Sequence, residues 1–377
     1  MTTLLTRLDH GTRLAAAVVV VIAMTLIPIV IALWPHPSHS ATETYPSAVL
    51  TDVSYSDCGN VTDEVPCGQA TGTLANGQHV TVMLFRDAWL SHVANDDRAI
   101  LYASNSPDSG TVYTFHSHDR SLKLAVFAII VIAFVLLTVG GKGIRAIASL
   151  LASALFIWSF LIGGISSGGS PLLYTTITTV LVLTVVLFFT HGLSTKTLAA
   201  WGGTMCGAAT AMGAGTLLSS WLSLGPADES ASALTYTSLD IDLSALSLAA
   251  LLIALTGILN DIAATQAATV FSHTVPGALP NWKTIVPTSL AVGRDHCASA
   301  IYTISFSVVG ASLAAFVLAH TYRQPLSAFL QTDTVATTLT QMLAGIIGIV
   351  VTMPATTALA LFLSRIPSHV QTSPHNH

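Results

Sequence analysis

Five polar side chains interrupt otherwise apolar sequence in the C-terminal half of the chain. Asn260, Asp261 and Gln266 fall within one hydrophobic run, and Arg294 and Asp295 stand at the start of the next. An ionisable side chain inside a bilayer is costly unless it is paired or hydrated, so such residues normally mark a polar pathway or a polar contact between helices. We therefore look for the chemistry of this protein in that segment.

Helical spacing suggests how these side chains meet. Asp261 and Thr265 are four residues apart and share one helix face. Arg294 and Asp295 are adjacent, so they point about 100° apart and pair poorly with each other. We therefore expect Asp261 to pair with Arg294, with Ser299 nearby on the same run as Arg294. The cluster has two main interpretations, a site for transport or coupling and a structural clamp between helices.

Enzymatic chemistry has weaker support in the sequence. The chain contains no His-Glu-x-x-His run of a metalloprotease and no phosphate-binding loop of an ATPase. His191, His273 and His296 fall near the predicted cytoplasmic ends of helices and could gather a metal, but they are far apart in the sequence. A membrane-embedded enzyme is therefore the third hypothesis, behind the two interpretations of the cluster, and the sequence assigns no metal site and no cofactor.

The composition sets the class of protein. Of 377 residues, 52% are hydrophobic and 8% are charged, and the mean hydropathy is +0.70. Soluble domains carry about 25% charged residues, so most of this surface must face a lipid bilayer. The net charge of −5 provides no basic patch for nucleic acid. The chain is predicted to be a polytopic α-helical membrane protein, with its oligomeric state open.

Apolar runs of about 20 residues have the length needed to cross a bilayer. We predict eight transmembrane helices near residues 14–34, 122–140, 144–163, 171–190, 198–224, 243–270, 297–319 and 335–363. The run 285–296 is too short to span alone. It is an interfacial or re-entrant piece, or the first turns of the seventh helix.

The predicted domains follow from these runs. Residues 1–34 form an N-terminal transmembrane anchor, since the apolar stretch is longer than the core of a signal peptide, although Ser40-Ala41 offers a cleavage site. Residues 35–121 form a soluble domain, 122–365 the multi-span domain and 366–377 a tail.

Lys and Arg in short loops predict the orientation, because they collect on the cytoplasmic side. With the N-terminus inside, the basic residues on that side are Arg7, Arg13, Lys142, Arg145, Lys196, Lys283, Arg294 and Arg365. Both termini are then cytoplasmic, and the soluble domain lies outside.

The soluble segment contains about five short β-rich runs, which predict a small barrel or sandwich, in one form an OB-like barrel. Asn76-Gly77 between two runs favours a hairpin. Cys58 and Cys67 lie in this outer segment and are read as a disulfide, with a metal site or free thiols as the alternatives.

The central motifs resemble the YibE/F-like family of bacterial membrane proteins. The matching positions are Gly257, Leu259, Asp261, Thr265, Gln266 and Ala267, the Gly-Arg-Asp-His run at 293–296, the Gly-Ala-Ser run at 310–312, His191-Gly192, Gly345 and Pro354. The resemblance covers about residues 115–365 and implies an integral protein of a bacterial inner membrane, without an established activity. The chain departs from the family pattern at Asn260, where an acid is common, and at Thr338 and Gln341, where Glu and Arg are common.

These observations lead to one main hypothesis, a secondary transporter or channel-like permease for a small solute or ion. Its polar site would contain Asp261, Gln266, Arg294 and Asp295, supported by Asn260, Thr265 and Ser299, beside a Pro- and Gly-broken region at 273–293. The alternative is a non-transporting component of the cell envelope. In that case the cluster is a clamp, and the outer domain binds a partner.

Overall fold

A computed structural model describes residues 10–35, 44–56, 67–106, 110–224, 234, 241–274 and 280–366, without the side chains of residues 56, 67 and 106. In chain order the helices are α1 His10–Ala32, α2 Arg86–Leu90, α3 Ser121–Val139, α4 Gly141–Ser166, α5 Pro171–His191, α6 Thr195–Trp221, α7 Leu243–Ser272, α8 Trp282–Ala311, α9 Leu313–Thr321, α10 Leu326–Phe329 and α11 Asp333–Leu363. The strands are β1 Ser47–Ser56, β2 Cys67–Leu74, β3 His79–Leu84, β4 Arg98–Ser106 and β5 Gly110–His118. The chain divides into two units, Met1–His36 with Gly141–His377, and Pro37–Gly140.

The five strands close into a barrel in the order β1-β2-β3-β5-β4. All neighbours are antiparallel except β3 and β5, and β1 pairs with β4 to complete the closure. With helix α2 between β3 and β4, this five-stranded arrangement is OB-like. The predicted number of strands is therefore confirmed. Of the two predicted arrangements, a barrel and a sandwich, the segment forms the barrel.

Alternating burial along β3 explains why this segment is a strand. Val80, Val82 and Leu84 point into the barrel core, and the residues between them are exposed. The predicted hairpin joins β2 to β3 through Asn76-Gly77, where Gly77 has a φ of 83°. This left-handed backbone conformation costs glycine little, since glycine has no Cβ.

The predicted disulfide lies outside the described side chains. Cys58 belongs to the part of the chain that is not described, and Cys67 contributes only its backbone to the start of β2. Among the described residues, Cys206 and Cys297 are free thiols. The pairing of Cys58 with Cys67 remains a prediction.

Helix α3 follows the barrel and has no buried residue along its length. Asp119 precedes it and accepts hydrogen bonds from the Ser121 hydroxyl at 2.6 Å and the Ser121 backbone N–H at 3.0 Å. These bonds lower the pKa of the Asp119 carboxyl below its ordinary value. The negative charge is thereby kept at the helix N-terminus, where it is favourable.

Six helices of the described chain are long and apolar enough to span a membrane: α1, α3, α4, α5, α7 and α11. The pair α8 and α9 passes the same test together but bends by 55° at Ser312, which brings the count to seven. The protein is therefore a multi-pass membrane protein, but the predicted count of eight is not confirmed. The predicted span at 198–224 corresponds to α6, a continuous helix that is absent from these spans because Gly, Ala and Thr make up much of it.

Small residues let α6 approach α11 closely. A Cβ added to Gly203 would overlap the Thr356 hydroxyl, and one added to Gly207 would overlap the Thr352 hydroxyl. On the α11 side, a Cβ at Gly348 would lie 2.8 Å from the carbonyl oxygen of Gly207. Contacts of this kind between small residues are how transmembrane helices pack without bulky side chains.

The beginning of α8 corrects two expectations. The helix starts at Trp282 and contains Pro287, so the irregular region is shorter than the predicted 273–293. The run 285–296 forms the first turns of this helix, one of the predicted alternatives. Arg294, which was counted with the cytoplasmic loops, lies well inside α8 instead.

Candidate functional site

The residues predicted to form one polar cluster occupy three separate settings. Gln266 is buried between helices, Asn260 lines a cavity, and Asp261, Arg294 and Asp295 are exposed. The structure therefore does not bring the predicted cluster together as one site.

Gln266 ties three helices together. Its side chain is 2% exposed, and its amide Nε2 donates to the Ser289 carbonyl at 3.0 Å and to the Thr357 hydroxyl at 2.7 Å. These partners lie on α8 and α11, while Gln266 lies on α7. A Cβ on Gly293 would stand 2.6 Å from Gln266 Oε1, so this glycine leaves room for the amide. The Gly of the Gly-Arg-Asp-His run thus serves packing beside Gln266.

A second glutamine makes a related tie that sequence reasoning did not assign. Gln341 on α11 donates from Nε2 to the Ser247 carbonyl at 3.0 Å and to the Ser247 hydroxyl at 2.8 Å. Here the side chain is a structural link between α11 and α7.

Asp261 pairs with histidine, not with arginine as predicted. Its Oδ2 lies 3.2 Å from His296 Nε2, with side chains 73% and 35% exposed. Arg294 and Asp295 are exposed, and within the described chain neither makes a hydrogen bond or an ion pair. The Asp261–Arg294 contact expected from the spacing is therefore not formed in this chain.

The carbonyls of Thr265 and Ser299 accept hydrogen bonds from threonine hydroxyls of their own helices. Thr265 is partly buried, and its carbonyl accepts from the Thr269 hydroxyl at 2.9 Å. Ser299 is exposed, and its carbonyl accepts from the Thr303 hydroxyl at 3.0 Å. Neither residue lines the cavity at Asn260.

Asn260 points into a cavity of about 390 Å³ between α4, α5 and α7, which we call the α4–α5–α7 cavity. Its lining residues are Ala146, Ser149, Leu150, Ser153, Ile157, Thr179, Val182, Leu183, Val186, Thr190, His191, Ile253, Thr256, Gly257 and Asn260. The α4 wall includes the first residue of a π-helical turn, Ile157–Ile162. Such turns occur often at functional sites.

Three buried polar atoms of the cavity lining have no hydrogen-bond partner in the described chain. They are Asn260 Oδ1, Thr179 Oγ1 and Thr190 Oγ1. The rest of the lining is largely apolar. Buried polar groups are almost always satisfied, by protein or by ordered water, so these three atoms are the points of the lining suited to bind water or a polar solute. Sequence reasoning found Asn260 but not the two threonines, which look like ordinary residues of an apolar helix.

Positive charge gathers at one end of this cavity. His191, the last residue of α5, lies close enough to Lys142, Arg145 and Lys196 to interact with them electrostatically. Clustered charge of one sign raises the local concentration of oppositely charged ions. This end of the cavity is therefore favourable for anions.

Neither metal nor hydrolase chemistry gains support from the geometry. No three His, Cys, Asp or Glu side chains of the described residues gather to hold a metal, so His191, His273 and His296 remain apart. A Gly-x-Ser-x-Gly run is centred on Ser166, at the end of α4. Its hydroxyl donates to the Ile162 carbonyl at 2.7 Å, and no strand precedes it as a nucleophile elbow requires.

Comparison with known proteins agrees with the central motifs. No curated protein and no solved structure matches the chain. The sequence profile of the YibE/F-like protein family matches residues 127–365, which is more than half of the chain. This match contains every residue of the candidate site, whereas α1 and the barrel lie outside it. The chain therefore belongs to the YibE/F-like protein family.

Proposed function

We propose that the protein is a secondary transporter or channel-like permease for a small solute or ion, which enters through the α4–α5–α7 cavity. This proposal is carried by three buried polar atoms on the cavity wall that have no hydrogen-bond partner among the described residues, Asn260 Oδ1, Thr179 Oγ1 and Thr190 Oγ1. Such atoms are costly in a membrane domain unless water or solute reaches them.

The length of the cavity supports a pathway. Along α5 it extends from His191 at the helix end to Thr179, about 18 Å at about 1.5 Å per residue. This is more than half of a hydrocarbon core of about 30 Å. A vestibule of that depth brings a hydrated solute to Asn260 near the middle of the membrane.

The proposed setting is a bacterial inner membrane with both termini in the cytoplasm and the barrel outside. Lys142, Lys196 and Lys283 stand at the starts of α4, α6 and α8, and Arg365 follows α11, so basic residues occupy one set of helix ends. The positive-inside rule assigns these ends, and the mouth at His191, to the cytoplasm. Reporter fusions to the C-terminus check this orientation, and an external C-terminus would contradict it.

The test compares two isosteric substitutions on α5, Thr179→Val and Thr176→Val. Thr179 lines the cavity with an unpartnered hydroxyl, whereas the Thr176 hydroxyl lies outside it and donates to the Leu172 carbonyl at 2.7 Å. Purified full-length protein is screened by thermal shift against inorganic anions, inorganic cations and small carboxylates. A ligand that binds only the folded state raises the melting temperature by an amount that grows with the ratio of its concentration to its dissociation constant.

We expect at least one compound to stabilise the wild type and Thr176→Val, and to stabilise Thr179→Val and Asn260→Leu much less. The same compound should cross proteoliposome membranes only when the wild type or Thr176→Val is present. Equal stabilisation of all four proteins would place binding elsewhere. No stabilising compound and no flux for the wild type would overturn the proposal.

That last outcome would favour the alternative function, an envelope component whose barrel binds a partner. The feature that favours it is an apolar patch around α2, where Phe85, Trp89 and Leu90 are 53%, 42% and 55% exposed. Aromatic side chains exposed together are typical of protein interfaces. Deletion of the barrel would then abolish the cellular phenotype without any change in flux.

A further inference from the structure

A group of charged side chains lies on the outside of the membrane unit, and we call it the charged belt: Asp261, Arg294, Asp295 and His296. Trp282 and Lys283 are exposed at the start of α8, where aromatic and basic residues mark the membrane interface. Arg294 lies about 18 Å further along the helix. On α7, Asp261 lies about 17 Å before the helix end at Ser272. Both positions fall near the middle of a hydrocarbon core of about 30 Å.

Lipid is an unsuitable environment for this belt. The Asp261 side chain is 73% exposed, and Arg294 and Asp295 are also exposed. Charged side chains at the centre of a transmembrane helix are rare and almost always face protein, water or an opposite charge. The exposed face of α8 therefore requires a cover that a single described chain does not provide.

The belt is arranged so that opposite charges lie on opposite flanks of α8. The stripe of α8 that packs onto the rest of the unit contains Gly293, Cys297, Ala300 and Ile304. At about 100° per residue, Arg294 lies on one flank of this stripe and His296 on the other, while Asp295 points away from the unit. His296 pairs with Asp261, so the negative charge of Asp261 lies beside the His296 flank of α8.

We propose that the chain forms a closed homo-oligomer through α8, in which Arg294 of one copy pairs with Asp261 of the next. A cationic flank that meets an anionic flank makes a heterologous interface, and a heterologous interface gives a ring when the rotation between copies closes. In this ring the α8 helices surround the central axis and the other helices of each copy lie further out. Asp295 then faces the central axis, where it is hydrated. Rings of acidic side chains are a known feature of cation pathways.

The shape of the exposed face is compatible with close approach of a second copy. Ala291, Ala298 and Ser299 are exposed on α8 beside the charged residues. Small residues allow neighbouring transmembrane helices to come near enough for side chains to pair. This inference rests on the belt alone and does not depend on transport through the α4–α5–α7 cavity.

The test counts copies of the full-length chain by native mass spectrometry after release from lipid nanodiscs. The wild type should contain three or more copies. Arg294→Asp and Asp261→Arg should each reduce the count to one, because each places like charges at the interface. The variant with both substitutions should recover the wild-type count. Arg323→Asp, a charge reversal at an exposed residue outside the belt, is the matched control and should leave the count unchanged.

Several outcomes would overturn the proposal. A monomeric wild type would do so, and a monomer that carries bound lipid would assign the belt to lipid head groups. An unchanged count in Arg294→Asp, or no recovery in the double variant, would remove the Arg294–Asp261 pair. The melting temperature identifies variants that fail to fold. Arg294→Gln and Asp261→Asn then replace the charge reversals, and each is expected to lower the number of copies.

Discussion

The glutamine ties inside the membrane unit and the charged belt on its surface place polar side chains in opposite environments. Gln266 and Gln341 are neutral amides whose donors find partners across helices within the chain. Asp261, Arg294 and Asp295 lie on the same or neighbouring helices, yet they are exposed. Among the residues that the structure describes, their side chains have one partner, His296, which pairs with Asp261. Their order along the sequence gives no indication of this separation.

The difference has a physical cause. A neutral amide can be satisfied by a few hydroxyls and carbonyls, which helices rich in Thr and Ser supply. A charge needs a counter-charge or water as well, because the cost of removing it from water is much larger. Amides can therefore be placed in the core of the unit, and the charges remain at positions where another copy or water can reach them.

The largest expected effect concerns the close packing of α6 against α11 inside the membrane unit. Gly207→Leu should destabilise the protein by about 3 kcal/mol or more, because the new side chain would overlap Thr352 on α11 and force the helices apart. SDS titration of the detergent-solubilised chain measures the free energy of unfolding.

Gly213→Leu, on the same helix, is the matched control for that substitution. A Cβ added there meets nothing within 4 Å. We expect a change within about 0.5–1 kcal/mol, in the stabilising direction, since Leu is a better helix former than Gly. Equal destabilisation by both substitutions would mean that α6 is sensitive to any large side chain and that the α6–α11 contact has no special role.

The second prediction concerns the amide tie itself. Gln266→Leu keeps a similar volume but removes the amide that donates to the Ser289 carbonyl and the Thr357 hydroxyl, so both bonds between helices are lost. We expect a loss of about 1–3 kcal/mol in the free energy of unfolding. Gln331→Leu should change it by less than about 0.5 kcal/mol, because Gln331 is exposed and bonds only within its own turn, to Ser327. A neutral Gln266→Leu would remove the structural role of the buried tie.

The fold was predictable from the sequence only in part. Hydrophobic runs predicted most helices, because about 20 apolar residues are needed for any span. They also predicted α6, although Gly203 and Gly207, which allow close packing, lower its hydropathy below that of the other spans. The strands and the Asn76-Gly77 hairpin were predictable from local alternation and turn chemistry. Closure of the barrel by β1 and β4 depends on pairs distant in sequence, such as Ser47 with Ile100, which local patterns do not specify.

The candidate site was only partly predictable for a related reason. Residue type identified Asn260, Asp261 and Gln266 as unusual, but the face on which each lies depends on the neighbouring helices. Thr179 and Thr190 were missed because threonine in a transmembrane helix usually bonds to its own backbone. Their unpartnered hydroxyls become evident only when α4, α5 and α7 are assembled.

The smallest expected effect provides the sharpest test of the comparison. Asp261→Asn removes a charge but leaves an oxygen that can still accept from His296. Because Asp261 lies on the outer surface of the unit, with its side chain 73% exposed, the substitution leaves no buried group without a partner, so the monomer should lose no more than about 1 kcal/mol. The measurement is the same SDS titration, at a protein concentration where the chain is monomeric. If Asp261→Asn instead costs as much as Gln266→Leu, the belt is a structural clamp within the chain. Charge at Asp261 would then stabilise the monomer, and the reason to place a second copy against α8 would be gone.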